Sequence, residues 1–279
     1  MSEAAISLKG VGHAYNKGTP LEKTVLSAVS VDIEKGETVG IMGASGSGKT
    51  TLAKVMAGLL PATAGRVETP GIGPSKAGLL FQHPEHQFFC ETVFNDITYT
   101  LREILNGAPE QVDNKYREVC RQVDLDANRV REMKTESLSS GEKRRVALAG
   151  LLTMEPDILI LDEPAAGLDP SGKVRIRKEL SKLSLSGKTL IIISHDTEDM
   201  LADGIERIIL LDKGKIAEDG SIGNILKKLS EDEASLPMLP FTSRLLLGLK
   251  EKGLDLRSDI SSPGEAVKEI KKALRAVGK

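Results

Sequence analysis

Short runs of aliphatic and β-branched residues recur along the chain, separated by longer stretches with helical spacing. Thr38–Met42, Ala77–Phe81, Ile158–Leu161, Thr189–Ile193 and Arg207–Leu211 each read as a strand buried on both faces. Continuous apolar strands alternating with helices predict a parallel sheet covered on both sides. The first 35 residues follow another rule: Ile6-Ser7-Leu8 and Val25–Ile33 alternate apolar and polar positions. That period of two predicts a small antiparallel sheet with one wet face.

Between these strands the pattern changes. Thr92–Leu105 and Val112–Val123 have amphipathic helical spacing, followed by turn-like interruptions at Leu125–Asn128 and Lys134–Ser137. The block breaks the strand–helix alternation and predicts a helical insertion over about 92–150. After Gly220 come a short helix at Ile222–Leu229, a break at Leu236–Pro240 and a helix at Phe241–Lys252 that stops at Gly253. Ser262, Pro263 and Glu265 then occupy the N-cap, N1 and N3 positions of a last helix, with Val267, Ile270, Leu274 and Val277 on one face.

The 279 residues carry 38 Lys+Arg against 40 Asp+Glu, a formal net charge of −2. This balance, with only 5 Phe, 3 Tyr and no Trp, argues against nucleic-acid binding through bulk positive charge or rows of stacking aromatics. Cys90 and Cys120 form no C-x-x-C pattern, so a reducing compartment is expected and both read as small packing residues. The N-terminus lacks a basic segment followed by an apolar core, and no apolar run approaches the length of a membrane helix.

The chemistry begins after the first buried strand. Gly43-Ala44-Ser45-Gly46-Ser47-Gly48-Lys49-Thr50 fits G-x-x-x-x-G-K-[ST]. Its glycines allow backbone N–H groups to turn inward around phosphate oxygens, Lys49 supplies a point charge, and the Thr50 hydroxyl suits Mg²⁺. Lys49–Ala57, including Thr51, follows as a helix whose N-terminus faces the anion. Ile158–Leu161 ends in Asp162-Glu163: at the end of a buried strand Asp162 is placed to hold Mg²⁺ and Glu163 to orient or deprotonate a water. The pair predicts nucleoside triphosphate hydrolysis, not binding alone.

Leu138-Ser139-Ser140-Gly141-Glu142-Lys143-Arg144-Arg145 resembles the signature motif of ATP-binding-cassette (ABC) ATPases, and lies 24 residues ahead of Asp162. Leu168-Asp169-Pro170 resembles that family's D-loop, Ser194-His195-Asp196 its switch histidine, Gln82 its Q-loop glutamine and Tyr15 its adenine-stacking aromatic. The resemblance spans about residues 5–220 and implies an α/β fold: a P-loop NTPase (RecA-like) core with an N-terminal antiparallel β subdomain, an inserted α-helical signature subdomain and a small C-terminal helical tail over 221–279, a candidate dimer contact. It implies ATP and Mg²⁺ as cofactors, with Thr50, Gln82 and Asp162 around the metal and Glu163, His195, Gln82 and Lys49 as the catalytic group. Ser139, Ser140, Gly141 and Glu142 would bind the γ-phosphate held by a second cassette in a head-to-tail dimer. Ser140 and Glu142 depart from the usual Leu-Ser-Gly-Gly-Gln, adding a side chain and a negative charge, and fit a less active composite site in an asymmetric pair.

Phe81–Phe89 followed by Glu91-Thr92-Val93, Glu142–Ala147 and the insertion Gly18–Glu22 resemble energy-coupling factor (ECF) ATPases, which power import of vitamins or of cobalt or nickel ions. This branch implies a second ATPase subunit, with a heterodimer favoured over a homodimer. It also implies a membrane coupling protein, a separate substrate-capture protein and residence at the cytoplasmic face of the membrane. Phe88 and Phe89 are the candidate coupling-protein contacts, and core packing is the competing reading for them. Other ABC transporter classes and soluble ABC ATPases stay open as alternatives. The latter carry long coiled-coil insertions, whereas Gln82 to Leu138 is 56 residues without sustained heptads.

Overall fold

The structure is a computed structural model, describing residues 3–70, 77–104, 106, 108–195, 197–200, 205–231, 236, 238–257, 260 and 263–277. Strands β1 (Ala4–Tyr15) and β2 (Lys23–Glu34) pair antiparallel, and β4 (Ala64–Glu68) completes a three-stranded sheet in the order β2-β1-β4. A six-stranded sheet runs β5-β6-β7-β3-β8-β9, from β3 (Thr38–Met42), β5 (Ala77–Leu80), β6 (Ile158–Asp162), β7 (Thr189–Ile193), β8 (Arg207–Asp212) and β9 (Lys215–Ser221). All its pairings are parallel except β8 with β9.

The apolar runs explain the layering. Side chains alternate across a strand, so Leu159, Leu161, Leu190 and Ile192 enter one core while Ile158, Ile160, Ile191 and Ile193 enter the other. The first core is covered by α2 (Val93–Tyr99), α3 (Pro109–Gln122), α5 (Ser140–Leu152), α6 (Pro170–Leu185) and α8 (Ile222–Glu231). The second is covered by α1 (Lys49–Met56) and the antiparallel sheet. No described helix is long and apolar enough to cross a membrane.

Several local readings change. The segment expected as one helix over Thr92–Leu105 is helical to Tyr99 and then widens to a π-helix over Thr100–Ile104; Leu105 lies outside the described residues. The turn expected at Leu125–Asn128 contains the start of α4 (Ala127–Val130), nucleated where the Asp126 carboxylate accepts from the Asn128 and Arg129 N–H groups. The four-residue α7 (Thr197–Met200) follows β7. The tail folds as α9 (Phe241–Glu251) and α10 (Pro263–Val277) around Leu246, Leu256, Ile260, Ala266 and Ala273. The face of α10 therefore differs from the expected stripe: Ala266, Ile270 and Ala273 pack, whereas Val267 and Leu274 remain 50% and 55% exposed. Ser262, the expected N-cap, lies outside the described residues, and Val277 has no described side chain.

Glu179 of α6 is buried, and neither carboxylate oxygen accepts a hydrogen bond among the described residues. Burial pushes its carboxyl up to about 7, with Arg145 pulling it down and Asp124 raising it further. The folded chain therefore binds this proton more tightly than the unfolded chain between about pH 4.5 and about 7, and the group's contribution to stability is lost as pH rises through that window. Glu179→Gln is expected to gain on the parent in melting temperature between pH 5 and pH 8, by roughly 5–10 °C in scanning calorimetry. A melting difference that does not vary with pH would contradict this.

Candidate active site

The carboxyl ends of the parallel strands open on one side of the sheet, where ligands of open α/β sheets bind. Gly43 follows β3, Asp162 ends β6, Ser194 and His195 follow β7, and Gln82 follows β5 by two residues. A cleft of about 580 Å³ there is lined by Ser45, Gly46, Gly48, Lys49, Thr50, Thr51, Gln82, Asp162, Glu163 and His195, among others.

The phosphate loop, Gly43–Thr50, is shaped by close backbone contacts. A β-carbon on Gly43 would lie 2.2 Å from the Leu211 carbonyl oxygen and 2.6 Å from the Ser47 hydroxyl. Lys49 is 8% exposed and donates to the Gly43 and Ala44 carbonyls at 2.8 and 3.0 Å. Burial lowers the pKa of its ammonium, while Glu163 and Asp162 pull it back up. The Ser47 hydroxyl is buried with no partner among the described residues. This loop thus presents a bent backbone, a buried hydroxyl without a partner among the described residues and an ammonium hydrogen-bonded to two carbonyls, a donor set suited to an oxyanion such as phosphate.

Two carboxylates face it. Asp162, 2% exposed, accepts from the Thr50 hydroxyl at 2.7 Å, and burial raises its pKa against that bond. Glu163, 6% exposed, sits at φ +53°, a left-handed conformation that costs a non-glycine residue roughly 1 kcal/mol or more. The conformation is fixed on both sides: its N–H donates to Ile193 O at 2.8 Å, and Arg144 of α5 donates to its carbonyl at 2.8 Å and to that of Gln82 at 3.0 Å. Its carboxylate accepts from the His195 N–H at 3.0 Å and from the Ser194 hydroxyl at 3.3 Å, with His195 Nδ1 at 2.5 Å. Asp196, the third residue of that motif, lies outside the described residues.

The other expected residues separate into two places. Tyr15 stands beside the cleft, its hydroxyl 3.2 Å from that of Thr51 and its ring edge-on to His13. Ser139, Ser140, Gly141 and Glu142 are absent from the cleft lining and form the N-terminus of α5, with Ser139 and Ser140 exposed. Ser139 and Glu142 close a capping box. The Ser139 hydroxyl and N–H donate to the Glu142 carboxylate at 2.8 and 3.0 Å, and the Glu142 N–H donates to the Ser139 hydroxyl at 3.3 Å. Arg129 of α4 pairs with Glu142 and, as the leading cause, pulls its carboxyl down to about 2. The charge that replaces the usual glutamine is thus answered inside the chain. Phe88 packs against the core, while Phe89 is 82% exposed and stacks on Tyr99 at 6.1 Å.

A family model described as ABC transporter matches residues 26–166. The energy-coupling factor transporter ATP-binding protein EcfA2 of Acetivibrio thermocellus is 38% identical, covering 97% of this chain and 99% of the relative. The chain belongs to the ABC transporter ATPase family. A protein also named EcfA2, from Symbiobacterium thermophilum, is 37% identical over 96% of each chain. Among solved structures, cbiO1 from Clostridium perfringens, part of the ABC transporter complex cbiONQ, is similar at TM-score 0.70 and 27% identity over 90% of this chain and 98% of its own. An ATP-binding cassette dimer in a post-hydrolysis state with ADP and Pi matches at TM-score 0.69 and 29% identity, over 77% of this chain and 98% of that one. Like its family, the ABC ATPase described here binds nucleotide and hydrolyses ATP in the service of transport.

Sequence reading of this ATPase missed the cleft residues Lys23, Thr24, Val25 and Lys213, which belong to no motif. The register that sets Lys23 opposite Tyr15 is a property of the folded β1–β2 pair, and no sequence signal marks either lysine. Gly43→Ala should cost about 1–3 kcal/mol by forcing the loop off Leu211 and Ser47. Denaturant unfolding checks this, and a loss below roughly 0.5 kcal/mol would mean that the loop shifts freely.

Proposed function

We propose that this ABC ATPase is the ATP-hydrolysing subunit of an ECF-type importer of micronutrients, working at the cytoplasmic face of the membrane as half of a head-to-tail dimer. The observation that carries the reading is the convergence of Lys49, Thr50–Asp162 and Glu163–His195 on one cleft, while the signature residues stand elsewhere in the same chain. One chain thus holds two half-sites, and a second cassette is needed to unite them.

The chain's own groups divide the work. Lys49 exchanges its two carbonyl partners for the β- and γ-phosphate oxygens. Tyr15 gives the adenine a face to stack on. Thr50, Asp162 and Gln82 would hold Mg²⁺, which supplies charge neutralisation of the phosphates when bound. Glu163 aligns a water in line with the γ-phosphorus and takes its proton, as the new P–O bond forms and the bond to the bridging oxygen breaks, leaving ADP and phosphate. Ser194 and His195 hold the Glu163 carboxylate for that step. Ser139, Ser140 and Gly141 of one cassette close on the phosphate of the other once Glu142 gives up the Ser139 donors, with α5's N-terminus directed at it.

We further place the second ATPase subunit as a different chain, because Ser140 and Glu142 make this signature unlike the usual one. The coupling protein meets the surface near Phe89, and a substrate-capture protein selects the cargo. The relatives named EcfA2 and the cbiO1 structure support this branch. Residues 221–279, with the exposed Val267 and Leu274 of α10, form the dimer-steadying tail.

Glu163→Gln is expected to bind ATP with the parent's affinity and to lose turnover at least about 100-fold in the assembled complex. Parental turnover would overturn the role of Glu163. Removal of residues 236–279 should raise the dimer dissociation constant about tenfold in sedimentation velocity while leaving the ATP dissociation constant within twofold. Unaltered dimer affinity would show that the tail does not steady the pair.

A further inference from the structure

The turn joining β8 to β9 carries a feature that the catalytic motifs do not use. Asp212 pairs with Lys215 across the antiparallel register, so Lys213 and Gly214 form a two-residue hairpin loop, and both have positive φ, +45° and +77°. Such loops favour asparagine, aspartate or glycine at both positions. A lysine in the first is held there against its backbone preference.

The turn cannot move away from the phosphate loop. The Gly214 N–H donates to Ser47 O, and the Ser27 N–H donates to Gly214 O, both at 2.9 Å. A β-carbon on Gly214 would lie 2.0 Å from the Val25 carbonyl oxygen, so the turn is pressed between the phosphate loop and β2. The clamp sets Lys213 on the rim of the cleft, and Lys23 lines the same cleft. Lys23 lies opposite Tyr15 in the β1–β2 register, and Tyr15 reaches Thr51. Among the described residues, the ammonium groups of Lys23 and Lys213 have no hydrogen-bond or ion-pair partner.

We propose that Lys213, seconded by Lys23, is a nucleotide-contacting residue that grips the polyphosphate from the Ser47 flank of the loop, on the side nearer the ribose. Lys49 holds the hydrolysed end beside Asp162 and Glu163, and Tyr15 marks the base end, so the two rim cations stand where the α- and β-phosphates pass. The ligand chemistry is a nucleoside di- or triphosphate. Its charge answers two ammonium groups that have no partner among the described residues, and the fixed turn means that little order must be gained on binding. This assignment rests on the proposed orientation of ATP, with its base at Tyr15.

The test uses the full chain with its cassette partner and compares Lys213→Gln, Lys23→Gln, the double variant and Lys213→Arg. ADP and ATP are titrated by calorimetry, and adenosine is followed by saturation-transfer NMR. Each glutamine variant should weaken ADP and ATP about fivefold or more and leave adenosine within twofold. Lys213→Arg should restore most of the loss, and added salt should shrink the gap between parent and variant. Lys213→Gly controls for folding: it relieves the positive φ, so it should melt no lower than the parent yet show the same weakened ADP binding. ADP and ATP affinities within twofold of the parent in the double variant would overturn the proposal, as would an equal loss for adenosine. Lys49→Ala, titrated beside them, separates this failure from a failure of the site itself. If it too keeps parental ATP affinity, the cleft is not the ATP site.

Discussion

Two neighbouring carboxylates are buried at the end of one strand, and one buried ammonium faces them. Asp162, Glu163 and Lys49 cannot be desolvated singly without heavy cost, and the surrounding structure is arranged to share that cost. Thr50 donates to Asp162, and Ser194 and His195 donate to Glu163. The left-handed backbone at Glu163 is pinned by Ile193 and Arg144. Arg144 belongs to α5, the helix that begins at the signature, and it also reaches the Gln82 carbonyl. The carboxylate cluster, Gln82 and α5 are therefore tied through a single guanidinium. A movement of α5 must be felt at the backbone of Glu163, which gives a physical route between the N-terminus of α5 and the proposed hydrolytic end of the cleft.

Motif-bearing parts of the site were legible in the sequence because they sit where the fold leaves few options. The phosphate loop needs glycines at fixed offsets, and Asp162 and Glu163 need a buried strand before them. The central strands were legible because β3, β6 and β7 are covered on both faces and so read as unbroken apolar runs. β4 and β9 were not. Both are edge strands with half-exposed or exposed residues, and the pairing that creates them is non-local. The face of α10 was misjudged because large aliphatic residues were assumed to mark the packed side. The neighbouring helix approaches closely enough that the alanines at 266 and 273 pack instead.

Lys23 and Lys213 escaped sequence reading for a different reason. A lone lysine carries no periodicity and no spacing rule. What gives Lys213 meaning is a turn conformation and its contact with Ser47, neither of which is written locally. The same holds for Arg129, whose importance comes from reaching Glu142 across 13 residues of sequence.

That pair bears on how an altered signature can still serve an anion. A carboxylate at the N-terminus of α5 competes with any incoming phosphate for the same donors, since Ser139 already gives its hydroxyl and N–H to Glu142. An unneutralised glutamate there would repel the phosphate outright. With Arg129 beside it the local charge is cancelled, so the helix terminus keeps its attraction for an anion. The remaining obstacle is an exchange of hydrogen bonds, not a charge barrier. In the proposed head-to-tail pair, the phosphate of the partner's ATP must replace Glu142 on Ser139, while Arg129 holds Glu142 aside. The energy of closing at this half-site is then a difference between two similar sets of charge-assisted bonds. It is smaller than at a signature whose serine starts free, and this difference arises within the chain before any partner is specified.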